Sequence, residues 1–243
     1  MDNSVVIDSF PESALNYRDS HSIVVIDVIR ATTTATTGVS FGRRIFPVKT
    51  TDEAFVLSER LEDPLLSGEL GGNIPYGFDM TNSPVQIAAL SAIPAGSFTD
   101  KKRPIILLSS SGTQLLQNAV GSEAVYLACF RNISAVANHL AGRHQRIAVL
   151  GAGTRGQFRR EDQMGCAWVA EKLVNLGYQP ETSQTSEIIS RWTGAGPEKV
   201  RGGRSEDYLR RSGQVHDFEF ILSHIDDLDV VPILVNGELV RAS

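Results

Sequence analysis

Val24-Val25-Ile26-Asp27-Val28-Ile29-Arg30-Ala31-Thr32-Thr33-Thr34 is the stretch on which the fold turns. The apolar, β-branched run from Ser22 to Ile26 reads as a strand buried on both faces, and it passes directly into a helical pattern over Ala31 to Phe41. The same change recurs from Ile45–Val48 into Asp52 to Leu61 and from Ile105–Leu108 into Gln114 to Val120. It continues with a strand over Ala124 to Ala128, a helix carrying Ile133, Val136, Ala137 and Leu140 on one face, and a strand over Arg146 to Leu150. Strands alternating with helices predict an α/β fold with a parallel sheet covered by helices.

Local signals mark several boundaries. Asn132 reads as an N-cap, and Thr50 with Glu53 has capping-box spacing. From Gln179 to Arg211 the chain is polar and broken by Gly194-Ala195-Gly196-Pro197 and Gly202-Gly203, which predicts helix and loop rather than sheet. Val230 to Val235, followed by Asn236-Gly237, predicts a closing strand with a turn. At 243 residues, the chain suits a single α/β unit over 1–243 or two lobes with a boundary near 100–125.

Bulk properties narrow the function. A net charge of -5 and a pI near 5.6 argue against a nucleic-acid binder, which needs a basic face to displace counterions. No apolar run approaches the roughly 20 residues that span a bilayer, and Met1 to Asp8 has neither a basic n-region nor a cleavage site, so a cytoplasmic protein with no membrane partner is expected. Cys129 and Cys166 have no CxxC spacing and read as core residues. The five His residues are scattered and form no zinc motif.

In open α/β sheets ligands lie beyond the carboxyl ends of the strands, and here those positions are polar. Asp27 and Arg30 follow the first strand, with Thr32 at a helix start suited to an anion. Glu69 sits among glycines in Ser67-Gly68-Glu69-Leu70-Gly71-Gly72. In Gly77-Phe78-Asp79-Met80-Thr81-Asn82-Ser83-Pro84, Ser83 and Pro84 suit an N-cap and first helical residue, whereas Asp79 and Asn82 have no such duty. Ser109-Ser110-Ser111-Gly112-Thr113 resembles a phosphate cradle without the Lys of a P-loop. Glu161 and Asp162 open a long helical pattern through Leu176, and the nearby Arg155, Arg159 and Arg160 read as a solvated helix entry.

Gly151-Ala152-Gly153-Thr154-Arg155-Gly156 has GxGxxG form, but a dinucleotide fingerprint opens its helix at the glycines and meets an acid about 20 residues on at a strand end. Here that position falls near Glu171, inside a helical pattern, which disfavours a nicotinamide cofactor. Carboxylates about 4 Å apart repel by about 4 kcal/mol at an effective dielectric of about 20, and a bound cation offsets this. Oxygen ligands without clustered His or Cys suit Mg²⁺ bound by one or two carboxylates, waters and a substrate phosphate. Neither cysteine has an Arg at CxxxxxR spacing, so the default expectation is metal-assisted hydrolysis of a small anionic phosphate ester by water, with a transient phosphoenzyme left open.

Five strings in the same order resemble the 2-phosphosulfolactate phosphatase family, the ComB-like proteins. They are Ile26 to Thr34, Ser67-Gly68-Glu69, Gly77-Phe78-Asp79 with Asn82-Ser83-Pro84, Ser111-Gly112-Thr113, and Gly156-Gln157-Phe158 with Glu161-Asp162. A tail with Ser205, Leu209, Gly213, Asp217 and Val231-Pro232 is similar as well. The resemblance implies a three-layer α/β/α fold with a largely parallel or mixed sheet. It also implies a Mg²⁺-dependent phosphatase converting 2-phospho-3-sulfolactate to 3-sulfolactate and phosphate, a step of coenzyme M synthesis. Carried over by motif, Asp27, Glu69, Glu161 and Asp162 become metal or water-positioning candidates, with Arg30 beside them in catalysis. Arg30, Thr32, Asp79, Asn82, Ser83, Ser111, Gly112 and Thr113 become substrate-binding candidates. The family usually has Thr-Asn-Gly-Thr where this chain has Ser110-Ser111-Gly112-Thr113, which shortens the reach of one side chain. Other readings left open are a phosphatase of another small phosphorylated hydroxy acid, a non-catalytic anion-binding or regulatory protein on the same scaffold, and a homodimer.

Overall fold

The structure is a computed structural model and describes residues 3–92, 100, 102–154 and 156–243. Its strands are β1 (Ser4–Ser9), β2 (Ser22–Ile26), β3 (Ile45–Val48), β4 (Leu65–Gly68), β5 (Ile105–Leu108), β6 (Val125–Ala128), β7 (Arg146–Gly151), β8 (Gln179–Pro180), β9 (Pro232–Val235) and β10 (Glu238–Arg241). The helices are α1 (Ala14–Tyr17), α2 (Ala31–Ser40), α3 (Thr51–Ser58), α4 (Pro84–Ala92), α5 (Gly112–Asn118), α6 (Ile133–Leu140), α7 (Arg160–Asn175), α8 (Ser183–Trp192), α9 (Arg204–Arg211) and α10 (Val215–Ser223).

The strands form one ten-stranded mixed sheet in the order β4-β5-β3-β10-β9-β6-β2-β7-β1-β8. A parallel wing of β4, β5 and β3 and a second parallel wing of β6, β2, β7, β1 and β8 are joined by the antiparallel β9–β10 hairpin. In sequence, the smaller wing is inserted between β2 and β6 of the larger one. Asn236 and Gly237, at φ 50° and 82°, make the hairpin turn their dipeptide predicts.

Alternation along the central strands builds the three layers. Val24 and Ile26 of β2 face one core with α6, α7 and α8, while Ile23 and Val25 face the other with α2 and α5. Each such side chain contributes about 1.5–3 kcal/mol by leaving water. Helix α2 is buried on nearly every side, which its small Ala and Thr residues allow. Some of its hydroxyls turn to nearby carbonyls: Thr33 and Thr37 donate to the carbonyls of Val28 and Thr33 at 2.8 and 2.7 Å. Gly38 lets the helix approach β3, since a Cβ there would lie 2.6 Å from Ile45 Cδ1.

Most expected elements stand within a few residues of their sequence signals. Thr50 caps α3 by accepting from the Glu53 N–H at 3.1 Å, and Ser83 caps α4 through the Gln86 N–H at 3.1 Å. The Asn132 side chain instead turns back to accept from the Cys129 N–H at 2.9 Å, closing the loop after β6. Strands β1 and β10 add pairing that the pattern did not single out, and Gln179–Pro180 forms the short β8 beside β1 where the polar composition predicted only helix and loop. No helix among the described residues is long and apolar enough to cross a membrane.

Candidate active site

The loops after β2, β4, β5 and β7 meet the start of α9 around a cleft of about 450 Å³ lined by Asp27, Arg30, Glu69 and Asn82, among others. Asp27 follows β2 directly, and its backbone is clamped by Thr32, whose hydroxyl accepts from the Asp27 N–H and donates to its carbonyl. The turn after β5 closes on the same carboxylate. Gly112 packs so tightly there that a Cβ would collide with Asp27 Oδ2 and lie 2.7 Å from Ala31 Cβ. Ser109 Oγ accepts from the Gly112 N–H at 3.2 Å and sits 3.4 Å from Asp27 Oδ2, as its donor.

Burial pushes the Asp27 carboxyl up to about 7, and the charges of Glu69 and Glu161 push it the same way, against the Ala31 N–H and the Ser109 hydroxyl. Asp27 can therefore exchange a proton near neutrality. Glu161 is raised by burial while Ser205 Oγ donates to it. Asp162 is raised well above the usual carboxylate range by burial and by the charges of Asp27 and Glu161. The three acids thus share one electrostatic neighbourhood with Glu69.

The roles of the acids differ in geometry. Glu69 faces the cleft with Oε1 held by Ser110 Oγ at 2.6 Å and the Gly72 N–H at 3.2 Å, which leaves Oε2 without a partner among the described residues. Both Asp162 oxygens are committed to backbone, accepting from Val28 N at 2.9 Å and Gly153 N at 3.1 Å, so Asp162 ties the ends of β2 and β7 together. Among the described residues no three His, Cys, Asp or Glu side chains stand as a preformed metal-ligand set. Asp27 and Glu69 on one cleft nevertheless match what Mg²⁺ needs, because that ion takes one or two carboxylates and completes its shell with waters and phosphate oxygens.

Arg30 is the buried cation of the site. Its Nη1 donates to Asp217 Oδ2 at 2.5 Å and to Gln214 Oε1, and its Nη2 donates to Thr81 Oγ1 at 2.9 Å. Nε has no hydrogen-bond partner among the described residues and Arg30 lines the cleft, so the guanidinium fork keeps a donor for a phosphoryl oxygen.

Other candidates lie behind this surface. Asn82 lines the cleft, but its amide braces β4 and β5, donating to Leu108 O at 2.8 Å and accepting from Ser67 Oγ at 3.2 Å. Ser111 lines the cleft, whereas Thr113 bonds the backbone of Ser109 at 2.9 and 3.0 Å. Asp79 accepts from Leu66 N at 2.8 Å, and Ser83 donates to Asp217 Oδ1 at 2.5 Å. Arg155 lies outside the described residues, Arg160 is exposed, and Arg159 lines the cleft.

Sequence reasoning did not single out Ser109, Gln214, Arg204, Tyr208 or the service of Asp217 to Arg30. Ser109 had a signal, as the first residue beyond an apolar strand; the rest arrive from the polar C-terminal third, where no pattern marks which residue reaches back. Asp227-Leu228-Asp229-Val230-Val231 has the DxDx[TV] spacing of aspartyl-phosphate enzymes. Asp227 is held by Arg131 at 2.6 Å and Asp229 lies exposed beside Arg241, so neither faces the cleft.

A family model described as 2-phosphosulpholactate phosphatase matches residues 8–237. A protein of Carboxydothermus hydrogenoformans named probable 2-phosphosulfolactate phosphatase is 32% identical over 246 aligned residues, spanning 96% of this chain and 95% of its own length. One of Deinococcus radiodurans with the same name is 33% identical, spanning 97% of this chain and 95% of its own length.

Proposed function

The chain belongs to the 2-phosphosulpholactate phosphatase family, and from that premise we propose that its cleft hydrolyses 2-phospho-3-sulfolactate to 3-sulfolactate and phosphate with Mg²⁺ as cofactor. The observation that carries the reading is the pairing, in one cleft, of the open Arg30 fork with the Asp27 and Glu69 carboxylates.

The fork binds a phosphoryl oxygen and turns the phosphorus toward the acids. Asp27 and Glu69 would hold the metal, which when bound neutralises phosphoryl charge and lowers the pKa of a coordinated water. The free Oε2 of Glu69 takes a proton from the attacking water as its oxygen bonds to phosphorus opposite the ester oxygen; the ester P–O bond breaks, and the released oxygen takes up a proton from solvent. Asp27 keeps its proton up to about pH 7 in the bare protein and gives it up when a cation takes its place. Ser109 and Gly112 hold Asp27 in register, and Asp162 holds the strand ends. Phosphate-monoester hydrolysis is among the slowest uncatalysed reactions, so this density of preorganised charge suits the task.

The test is phosphate release from 2-phospho-3-sulfolactate and from a panel of phosphorylated hydroxy acids, with Mg²⁺ and with EDTA. The reading expects the sulfonated ester to be the best substrate and EDTA to stop its turnover until Mg²⁺ is restored. Equal turnover with EDTA present removes the metal, and preference for a non-sulfonated ester removes the substrate.

A further inference from the structure

Arg159 and Arg204 line the same cleft as Arg30, Asp27 and Glu69. Arg159 immediately precedes α7 and Arg204 is the first residue of α9. Neither makes a side-chain hydrogen bond or ion pair among the described residues, whereas Arg30, Arg43, Arg44, Arg131, Arg146 and Arg201 each pair with a carboxylate. Arg159 is felt electrostatically by Glu161, whose charge it favours, without contacting it.

The helix starts that carry them are tied together. Ser205, next to Arg204, donates to Glu161 at the start of α7, and Tyr208 on the next turn of α9 donates to the carbonyl of Gly72 beside the Glu69 loop. Helix α9 therefore braces against both walls of the cleft and presents Arg204 between them.

Charge then decides what the two arginines do. The charge of Arg30 is matched by buried Asp217, and the cleft also carries Asp27 and Glu69. Arg159 and Arg204 are thus its side-chain cations without an ion-pair partner among the described residues. We propose that Arg159 and Arg204 form a second anion subsite that holds a non-phosphoryl acid group of the substrate, a carboxylate or sulfonate, while Arg30 holds the phosphoryl group. The proposal rests on the phosphatase reading for the identity of the substrate but not for the existence of the subsite. Guanidinium forks pair with either acid through two parallel hydrogen bonds, which a serine at position 111 cannot replace. Selectivity for esters bearing a second acid then comes from the walls of α7 and α9.

The test is calorimetric titration of wild type and the Arg159→Gln/Arg204→Gln double variant with 3-sulfolactate, lactate and inorganic phosphate, together with kcat/KM for 2-phospho-3-sulfolactate and for isopropyl phosphate, which has no second acid. The double variant should lose affinity for 3-sulfolactate at least about 10-fold more than for phosphate, and its preference for the acidic ester should fall by a similar factor. A loss confined to 3-sulfolactate places the sulfonate in the subsite, and an equal loss for lactate places the carboxylate there. Losses no larger than that for phosphate, or no binding of 3-sulfolactate by wild type, overturn the subsite. Wild type that binds 3-sulfolactate through these arginines yet does not hydrolyse its phosphate ester contradicts the proposed function and leaves the subsite standing.

Discussion

Arg30 Nη1 lies 2.5 Å from Oδ2 of Asp217, a carboxylate with 0% exposure placed 187 residues further along the chain. The second oxygen of Asp217 accepts from Ser83 at 2.5 Å, so a single buried acid joins the end of β2, the start of α4 and helix α10. The pair costs desolvation on both sides, and under the proposed function that cost holds Arg30 in place for the phosphoryl group.

Removing one member of a buried pair leaves the other charge uncompensated. Asp217→Ala should therefore destabilise the protein by about 3–5 kcal/mol. Asp217→Asn, which keeps the shape, should fold better and still lower kcat/KM by about 30-fold as Arg30 loses its anchor. Urea unfolding followed by turnover measurements on both variants checks this. Wild-type kcat/KM in Asp217→Asn would show that Arg30 is held adequately without the charge.

Gly112 offers a separate probe, because the obstacle is steric. An added methyl group meets Asp27 Oδ2 and Ala31 Cβ, neither of which is the end of a flexible chain. Gly112→Ala should cost about 1–3 kcal/mol of stability by overpacking. Displacing Asp27 should also cut turnover by about 100-fold. Thermal melts and initial rates distinguish the two effects, and a variant that loses stability but retains full turnover would place Asp27 outside the chemistry.

Much of this arrangement was legible in the sequence, and the reason is local. Asp27, Arg30, Glu69 and the turn at Ser109–Thr113 each follow an apolar strand, so the rule that ligands lie beyond strand carboxyl ends points to them without knowledge of strand order. The sequence does not reveal which of two neighbouring polar residues faces the cleft. Thr32 and Thr113 sit beside cleft residues yet serve backbone, and Asp79 turns to Leu66, because one residue of register on a loop decides between solvent and scaffold. Asp217 and Gln214 come from a helical segment whose contacts with Arg30 are long-range, and Arg204 enters the cleft from the same segment. Strand β10 pairs with β3 only through the hairpin, a closure that a periodicity reading of Glu238 to Arg241 cannot foresee.

The titration of Asp27 gives a signed prediction for the metal-free protein. Its carboxyl is raised from 3.8 in the reference state to about 7 in the fold, so between these values the folded chain holds a proton that the unfolded chain has lost. Stability then falls as pH rises through this window, by on the order of 4 kcal/mol for this group once pH exceeds about 7. Buried His21, whose pKa is lowered chiefly by burial, works in the opposite sense around its own titration. Comparing wild type with Asp27→Asn isolates the acid: unfolding free energies measured with EDTA from pH 5 to 8 should decline more steeply in wild type. Parallel curves would mean that Asp27 is ionised in the fold throughout.

The most direct test of the central claim, that Asp27 works with a cation to hydrolyse a phosphate ester, is the initial rate of phosphate release from 2-phospho-3-sulfolactate as Mg²⁺ is titrated into metal-free wild type and Asp27→Asn. Saturable stimulation in wild type, and a rate at least about 1,000-fold lower in a correctly folded Asp27→Asn at every Mg²⁺ concentration, is the predicted result. An Asp27→Asn protein that matches wild type in both rate and Mg²⁺ response would contradict it.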